Sequence, residues 1–174
     1  TTGSVNTAVG NQAMCKNTTG SNNTALGRTA LFTQTTANSN TAVGYETMYA
    51  TTTGASNTAL GKTALDANTT GASNTAVGVD ALGGNTTGDH NTAVGITSLQ
   101  TLTTGDCNTA VGKDASQSMT TGCFNVAVGT FSLLRATTGI NNVGIGRHAL
   151  EQMTTGSGNV AIGRYSGADS VFNV

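Results

Sequence analysis

Residues 52–68 read T-T-G-A-S-N-T-A-L-G-K-T-A-L-D-A-N, and residues 69–85 read T-T-G-A-S-N-T-A-V-G-V-D-A-L-G-G-N. The second stretch is the first again, 17 residues later. Extended in both directions, the Thr-Thr pair recurs at Thr1, Thr18, Thr35, Thr52, Thr69, Thr86, Thr103, Thr120, Thr137 and Thr154, without an insertion or deletion. Ten units fill residues 1–170 and leave a tail of four, 171–174. Self-similarity at a fixed short period is the signature of an array in which each unit packs on its neighbours.

Positions are counted here from the first Thr of each unit. Position 6 is always Asn: Asn6, Asn23, Asn40, Asn57, Asn74, Asn91, Asn108, Asn125, Asn142 and Asn159. Position 10 is always Gly: Gly10, Gly27, Gly44, Gly61, Gly78, Gly95, Gly112, Gly129, Gly146 and Gly163. Position 8 is Ala except at Gly144, and position 9 is Val, Leu or Ile. Position 7 is Thr in seven units and then Val126, Val143 and Val160. All 15 charged residues fall at positions 4, 11, 12, 15 and 16. A repeat that segregates charge this strictly has a fixed inside and a fixed outside, which excludes a disordered chain.

Composition agrees. Thr (35), Gly (24) and Asn (18) make up 77 of 174 residues, and Pro and Trp are absent. Leu, Ile, Val and Phe number only 31, too few for a conventional two-layer enzyme core. A net charge of −1 offers no footprint for nucleic acid, and no apolar run approaches the length of a membrane span. Thr1 is not an initiator Met, so the chain is expected to be a piece of a longer one.

Asn-Thr-Ala-Val followed by an invariant Gly reads as a short strand closed by a turn, with positions 7 and 9 on one face and 6 and 8 on the other. Thr-Thr-Gly is turn chemistry, its Gly supplying a positive φ or a close backbone approach. Positions 13 and 14 form a second inward segment. Seventeen residues suffice for one turn of a coil. The expected fold is therefore all-β: a parallel β-solenoid of ten 17-residue coils, each strand paired in register with its copy one unit later. The absence of Pro fits, because every coil needs its N–H groups for the ladder. The Asn column is expected to be a ladder of amides, and the position-10 glycines the turn.

The reading of the faces takes Thr or Val at position 7, the aliphatic at position 9, and positions 13 and 14 as inward. That leaves Asn and Ala at positions 6 and 8 as a uniform, uncharged strip for a neighbouring chain to pack against. A thin core and such a strip together imply a cyclic homo-oligomer, a homotrimer above all.

The units N-T-A-V-G, and N-V-A-I-G at 159–163 followed by Arg164, Tyr165 and Ser166, resemble the head repeats of YadA-like trimeric autotransporter adhesins. N-T-T-G-x-x-N-T-A-V-G is also similar to repeats of bacteriophage tail-fibre proteins. The resemblance covers all ten units; it departs in period, 17 here against the shorter adhesin repeat. Asn159-Val160 is echoed at Asn173-Val174, so residues 171–174 are expected to begin a shorter coil. The family implies a left-handed parallel β-roll in a trimer. Its role there is as the shaft or head of a virion tail fibre or bacterial surface adhesin, a structural protein and not an enzyme. It implies no cofactor, and a host cell-surface glycan or protein as the external partner.

Other patterns weigh less. Gly61-Lys62-Thr63 lacks the upstream Gly of a phosphate loop. Val9-Gly10-x-x-Ala13 imitates a hexapeptide rung of an acyltransferase, but the period is not a multiple of six, and His90 and His148 sit at variable positions. Asp89 and Asp106 share position 4 on neighbouring coils, yet only two coils carry an acid there, too few for a calcium array. Thr-rich solenoids that bind ice remain an alternative; their arrays alternate Thr on one outward face, whereas the Thr-Thr pair here is adjacent. Cys107 and Cys123 fall on adjacent coils within disulfide reach, with free thiols the preferred state in a reducing cytosol; Cys15 is the odd one. Tyr45, Tyr49, Phe131 and Tyr165 occupy variable, outward positions, as do Phe32 and Phe124; scattered surface rings or interchain contacts are the preferred reading, and the first four are the candidates for receptor contact.

Overall fold

In the computed structural model, which describes residues 2–168, each unit is one coil of a parallel β-solenoid. Ten three-residue strands form one sheet in sequence order: β1 (Thr7–Val9), β2 (Thr24–Leu26), β3 (Thr41–Val43), β4 (Thr58–Leu60), β5 (Thr75–Val77), β6 (Thr92–Val94), β7 (Thr109–Val111), β8 (Val126–Val128), β9 (Val143–Ile145) and β10 (Val160–Ile162). Every pair is parallel and in register, Ala59 opposite Ala76 and Ala76 opposite Ala93, so each residue stacks on its counterpart 17 positions away. With neighbouring strands ~4.8 Å apart, ten coils make a column about 48 Å long. The shorter coil expected at 171–174 lies outside the described residues.

The ladder is not confined to the strands. In coil 2, Asn22 N–H donates back to Ser4 O, Thr24 N–H forward to Asn40 O, Gly27 N–H back to Val9 O and Thr29 N–H back to Asn11 O. Leu31 N–H donates to Thr47 O and Thr33 N–H to Tyr49 O, again between coils. A proline at any of these positions would delete a rung, which accounts for their absence.

One turn in the repeat needs glycine and a second favours it. At position 10 φ lies between 121° and 143°, and a Cβ would stand under 3 Å from the next coil's backbone all the way from Gly10 to Gly146. At position 3 a Cβ on Gly20 would meet Ala37 O at 2.3 Å while φ is ordinary, yet Ala37 itself sits buried at this position in coil 3, so the close approach favours glycine without requiring it. Left-handed φ falls instead on non-glycine residues at positions 5, 12 and 14, such as Ser73, Asp80 and Leu82 in coil 5. A repeated backbone strain of this kind persists where the surrounding ladder over-determines it.

The face assignment from sequence is inverted. Alternation along the strand holds, but it is Ala at position 8 and Asn at position 6 that point into the coil. Ala25, Ala42, Ala59, Ala76, Ala93, Ala110 and Ala127 are fully buried, and the Asn column is buried from Asn23 to Asn142. Positions 7 and 9 point outward, with Leu26 47% and Leu60 49% exposed. Positions 13 and 14 are inward as expected: Ala64 and Leu65 are fully buried. The physical reason is cross-section. A 17-residue coil that places Leu or Met on one wall leaves room for only Ala on the wall opposite, and a second aliphatic would overfill it. The uniformity of the Asn-Ala strip thus comes from packing inside one chain.

Candidate interaction surface

The interior is built around two amide columns that flank the buried glycines of position 3. From Asn23 to Asn159, each position-6 N–H donates to Oδ1 of the Asn one coil earlier at 2.8–3.0 Å. From Asn6 to Asn142, each Nδ2 donates to the position-3 carbonyl of the next coil at 2.7–2.9 Å. Amide-to-amide bonds join them at Asn23, Asn108, Asn125, Asn142 and Asn159. Each carboxamide therefore uses both ends, and burying it costs little. Position 17 supplies the second column in the first half of the rod. Asn17, Asn68 and Asn85 donate to Gly20, Gly71 and Gly88 O, carbonyls that already accept a position-6 amide.

Two further columns were not read from the sequence. Position-1 threonines donate Oγ1 to the carbonyl of the next position 1, from Thr18 to Thr137. Position-4 side chains accept the N–H of the preceding position 4: Ser21 Oγ, Asn38 Oδ1, Asp89 Oδ1, Asp106 Oδ1, Cys123 Sγ and Ser157 Oγ. The common signal was an acceptor atom one or two bonds from Cβ, visible in Ser, Asn, Asp and Cys alike. Asp89 and Asp106 are thereby committed to the ladder. Among the described residues no group of three His, Cys, Asp or Glu side chains is placed to hold a metal, and no helix is long and apolar enough to cross a membrane.

The outward face of the sheet is a strip of β-branched and aliphatic side chains without one charge. Val9, Leu26, Leu60, Val94, Val111, Ile145 and Ile162 are exposed, and Val43, Val77 and Val128 half-buried. Beside them run the position-7 residues, whose threonine hydroxyls in coils 1–7 make no hydrogen bond among the described residues.

Apart from the exposed Phe124, the described aromatic residues fall into two groups near opposite ends. Tyr49 stacks on Phe32 with centroids 5.2 Å apart, and Lys16 lies over the Phe32 ring. Arg28 lies over Tyr45, whose phenol is pushed above its ordinary value first by its hydrogen bond to Glu46. At the other end Phe131, His148 and Tyr165 form one stack, 5.0 Å and 4.7 Å between rings, with Lys113 over Phe131 and Arg164 over Tyr165. The structure thus brings Phe131 and Tyr165 together and keeps Tyr45 and Tyr49 in the other group. Ring faces that a sugar would stack on are largely spent on other rings and on cations. His148 Nδ1 lies 2.8 Å from Glu151 Oε2, and its ring is enclosed on both sides. His90 is exposed. Cys15, Cys107 and Cys123 are free thiols.

Compared with protein-family models, with curated proteins and with solved structures, the chain finds no match in any of the three.

Proposed function

We propose that this chain is a rod-forming segment, the shaft or head of a trimeric tail fibre or surface adhesin, whose task is to set reach and rigidity between an anchor and a target. The observation that carries the reading is the uncharged strip of positions 7 and 9, continuous over all ten coils on the outside of a column whose own interior is already full. The aliphatic row at position 9 within it gains nothing from water, and long contiguous apolar patches on soluble proteins mark contact surfaces. Covering a half-exposed aliphatic contributes roughly 1 kcal/mol. Seven exposed ones per chain give about 7 kcal/mol and the three half-buried ones add less, a sum within the ~4–15 kcal/mol that association costs. The aromatic groups lie off this strip in sequence position, so Tyr45, Tyr49, Phe131 and Tyr165 stay candidates for host contact. Light scattering tests the reading: three times 17.2 kDa is expected, and a stable monomer at high concentration contradicts it.

A second reading, ice binding, is favoured by one observation. In coils 1–7 the outward face alternates Thr at position 7 with an aliphatic at position 9, a regular array of unpartnered hydroxyls and methyl groups. Strong thermal hysteresis from the isolated rod would promote it; growth of ice crystals unaltered by the protein would remove it.

A further inference from the structure

The strip is not the same along its length. Position 7 is Thr in coils 1–7 and Val126, Val143 and Val160 in coils 8–10. Thr and Val have one shape, so the exchange leaves the packing inside the coil untouched and changes only what the outer surface meets. On a strand facing water, Val in place of Thr exposes a methyl and removes a hydroxyl that solvent would bond. Under an apolar cover the preference reverses, because a Thr hydroxyl there has nothing to bond. At the same boundary position 12 changes from polar residues to Phe131, His148 and Tyr165. Two independent columns change character in coil 8.

We propose that coils 8–10 are the segment through which copies of this chain recognise one another and fix their register, a refinement that rests on the oligomeric reading above. The occupant is a second copy on three grounds. A partner that touches the strip at every rung must itself repeat at the ~4.8 Å rung spacing, and an identical rod does. The strip carries no charge at positions 7–9, so identical faces meet without repulsion. A face ~48 Å long and about 10 Å wide offers on the order of 500 Å² to each partner, and a copy in a cyclic trimer meets two partners. Register follows from the Thr-to-Val boundary. Sliding one copy by a coil, or reversing it, sets Val126, Val143 or Val160 against threonine hydroxyls and strips those hydroxyls of water. Parallel, in-register copies place Val on Val and Thr on Thr, where each hydroxyl has another hydroxyl to bond.

The test is the full chain against the triple variant Val126→Thr, Val143→Thr, Val160→Thr, which restores the residue found at that position in the other seven coils and so preserves folding. Sedimentation equilibrium is expected to show association at least tenfold weaker, with unchanged circular dichroism. A spin label at Thr104→Cys, an exposed residue off the strip, in a Cys15→Ser, Cys107→Ser, Cys123→Ser background is expected to give one sharp inter-copy distance in the parent and several in the triple variant. An oligomeric parent whose affinity and label distances are unmoved by the triple change overturns the proposal and leaves the fibre reading standing. A parent that is monomeric at every concentration overturns both.

Discussion

Leu102 follows Asn85 in the interior column of position 17, and the buried Asn85 Oδ1 has no donor among the described residues. One coil earlier the arrangement is complete, with Asn85 Nδ2 donating to Asn68 Oδ1 at 3.0 Å. The column runs Asn17, Gln34, Thr51, Asn68, Asn85 and then Leu102, Met119, Ala136, Met153. The core therefore passes from hydrogen-bonded to oily halfway up the rod, and the orphaned oxygen marks the junction. Thr51, whose buried hydroxyl is also unpartnered, is the one gap in the polar half.

Thr51→Asn should close that gap. Asn68 occupies the equivalent site without strain and donates to Gly71 O, so the new amide has Gly54 O to bond. A gain of about 1 kcal/mol is expected, read as a melting temperature higher by roughly 2–4 °C. A fall in melting temperature would show that the site cannot take a carboxamide.

Asn74 sits mid-rod, its Oδ1 accepting from Asn91 N–H and its Nδ2 donating to Gly88 O, both at 2.8 Å. Asn74→Ala leaves the Asn91 N–H buried and unbonded, a loss of about 2–3 kcal/mol by denaturant melts. Asn74→Asp should cost more at pH 7 than at pH 4, since a buried carboxylate can shed its charge only in acid. Equal losses at the two pH values would place the residue at the surface.

The single break in the alanine column, Gly144, makes room for the hydroxyl of Ser132. Ser132 Oγ donates to Gly144 O at 2.8 Å, and a Cβ on Gly144 would stand 2.7 Å from Oγ, whereas Ser98, opposite Ala110, turns its hydroxyl to Gly95 O. Gly144→Ala should cost about 1–2 kcal/mol alone and much less in a Ser132→Ala background. Additive effects in the double-mutant cycle would refute the coupling.

Burial, with Asp80 nearby as a second cause, raises the Asp66 carboxyl above its ordinary value. The folded state then holds the proton more tightly than the unfolded state. Its contribution is most favourable below the unfolded value near ~3.9 and declines as pH rises through the folded value. Asp66→Asn should accordingly stabilise the rod at pH 7, with the advantage gone by about pH 3. An advantage that persists in acid would rule out the ionised carboxylate as the cause.

The period, the strand at Asn-Thr-Ala-Val, the position-10 turn and the parallel register were legible because each is a local pattern copied ten times. Which strand face lies inside was not, since alternation separates positions 6 and 8 from 7 and 9 without saying which pair is buried. Hydrophobicity favoured the aliphatics of position 9. Leu65 and its counterparts already fill the narrow coil, however, and Asn57 and Asn74 recover in hydrogen bonds what burial costs them. The left-handed turns were equally hidden, because Ser73, Asp80 and Leu82 are held there by the ladder and carry no glycine to announce it. Of the candidate contact residues, the sequence offered outward positions but not the stacking that spends the rings of Phe131 and Tyr165 on His148.

Everything turns on an Asn-Ala wall that faces inward and stacks on itself every 17 residues. Nuclear Overhauser contacts from the Ala76 methyl test this most directly. The rod predicts cross-peaks to the Ala59 and Ala93 methyls within the same chain, together with a slowly exchanging Asn74 side-chain amide. Cross-peaks from Ala76 to a second, differently labelled chain, or an Asn74 amide that exchanges at the solvent rate, would contradict it.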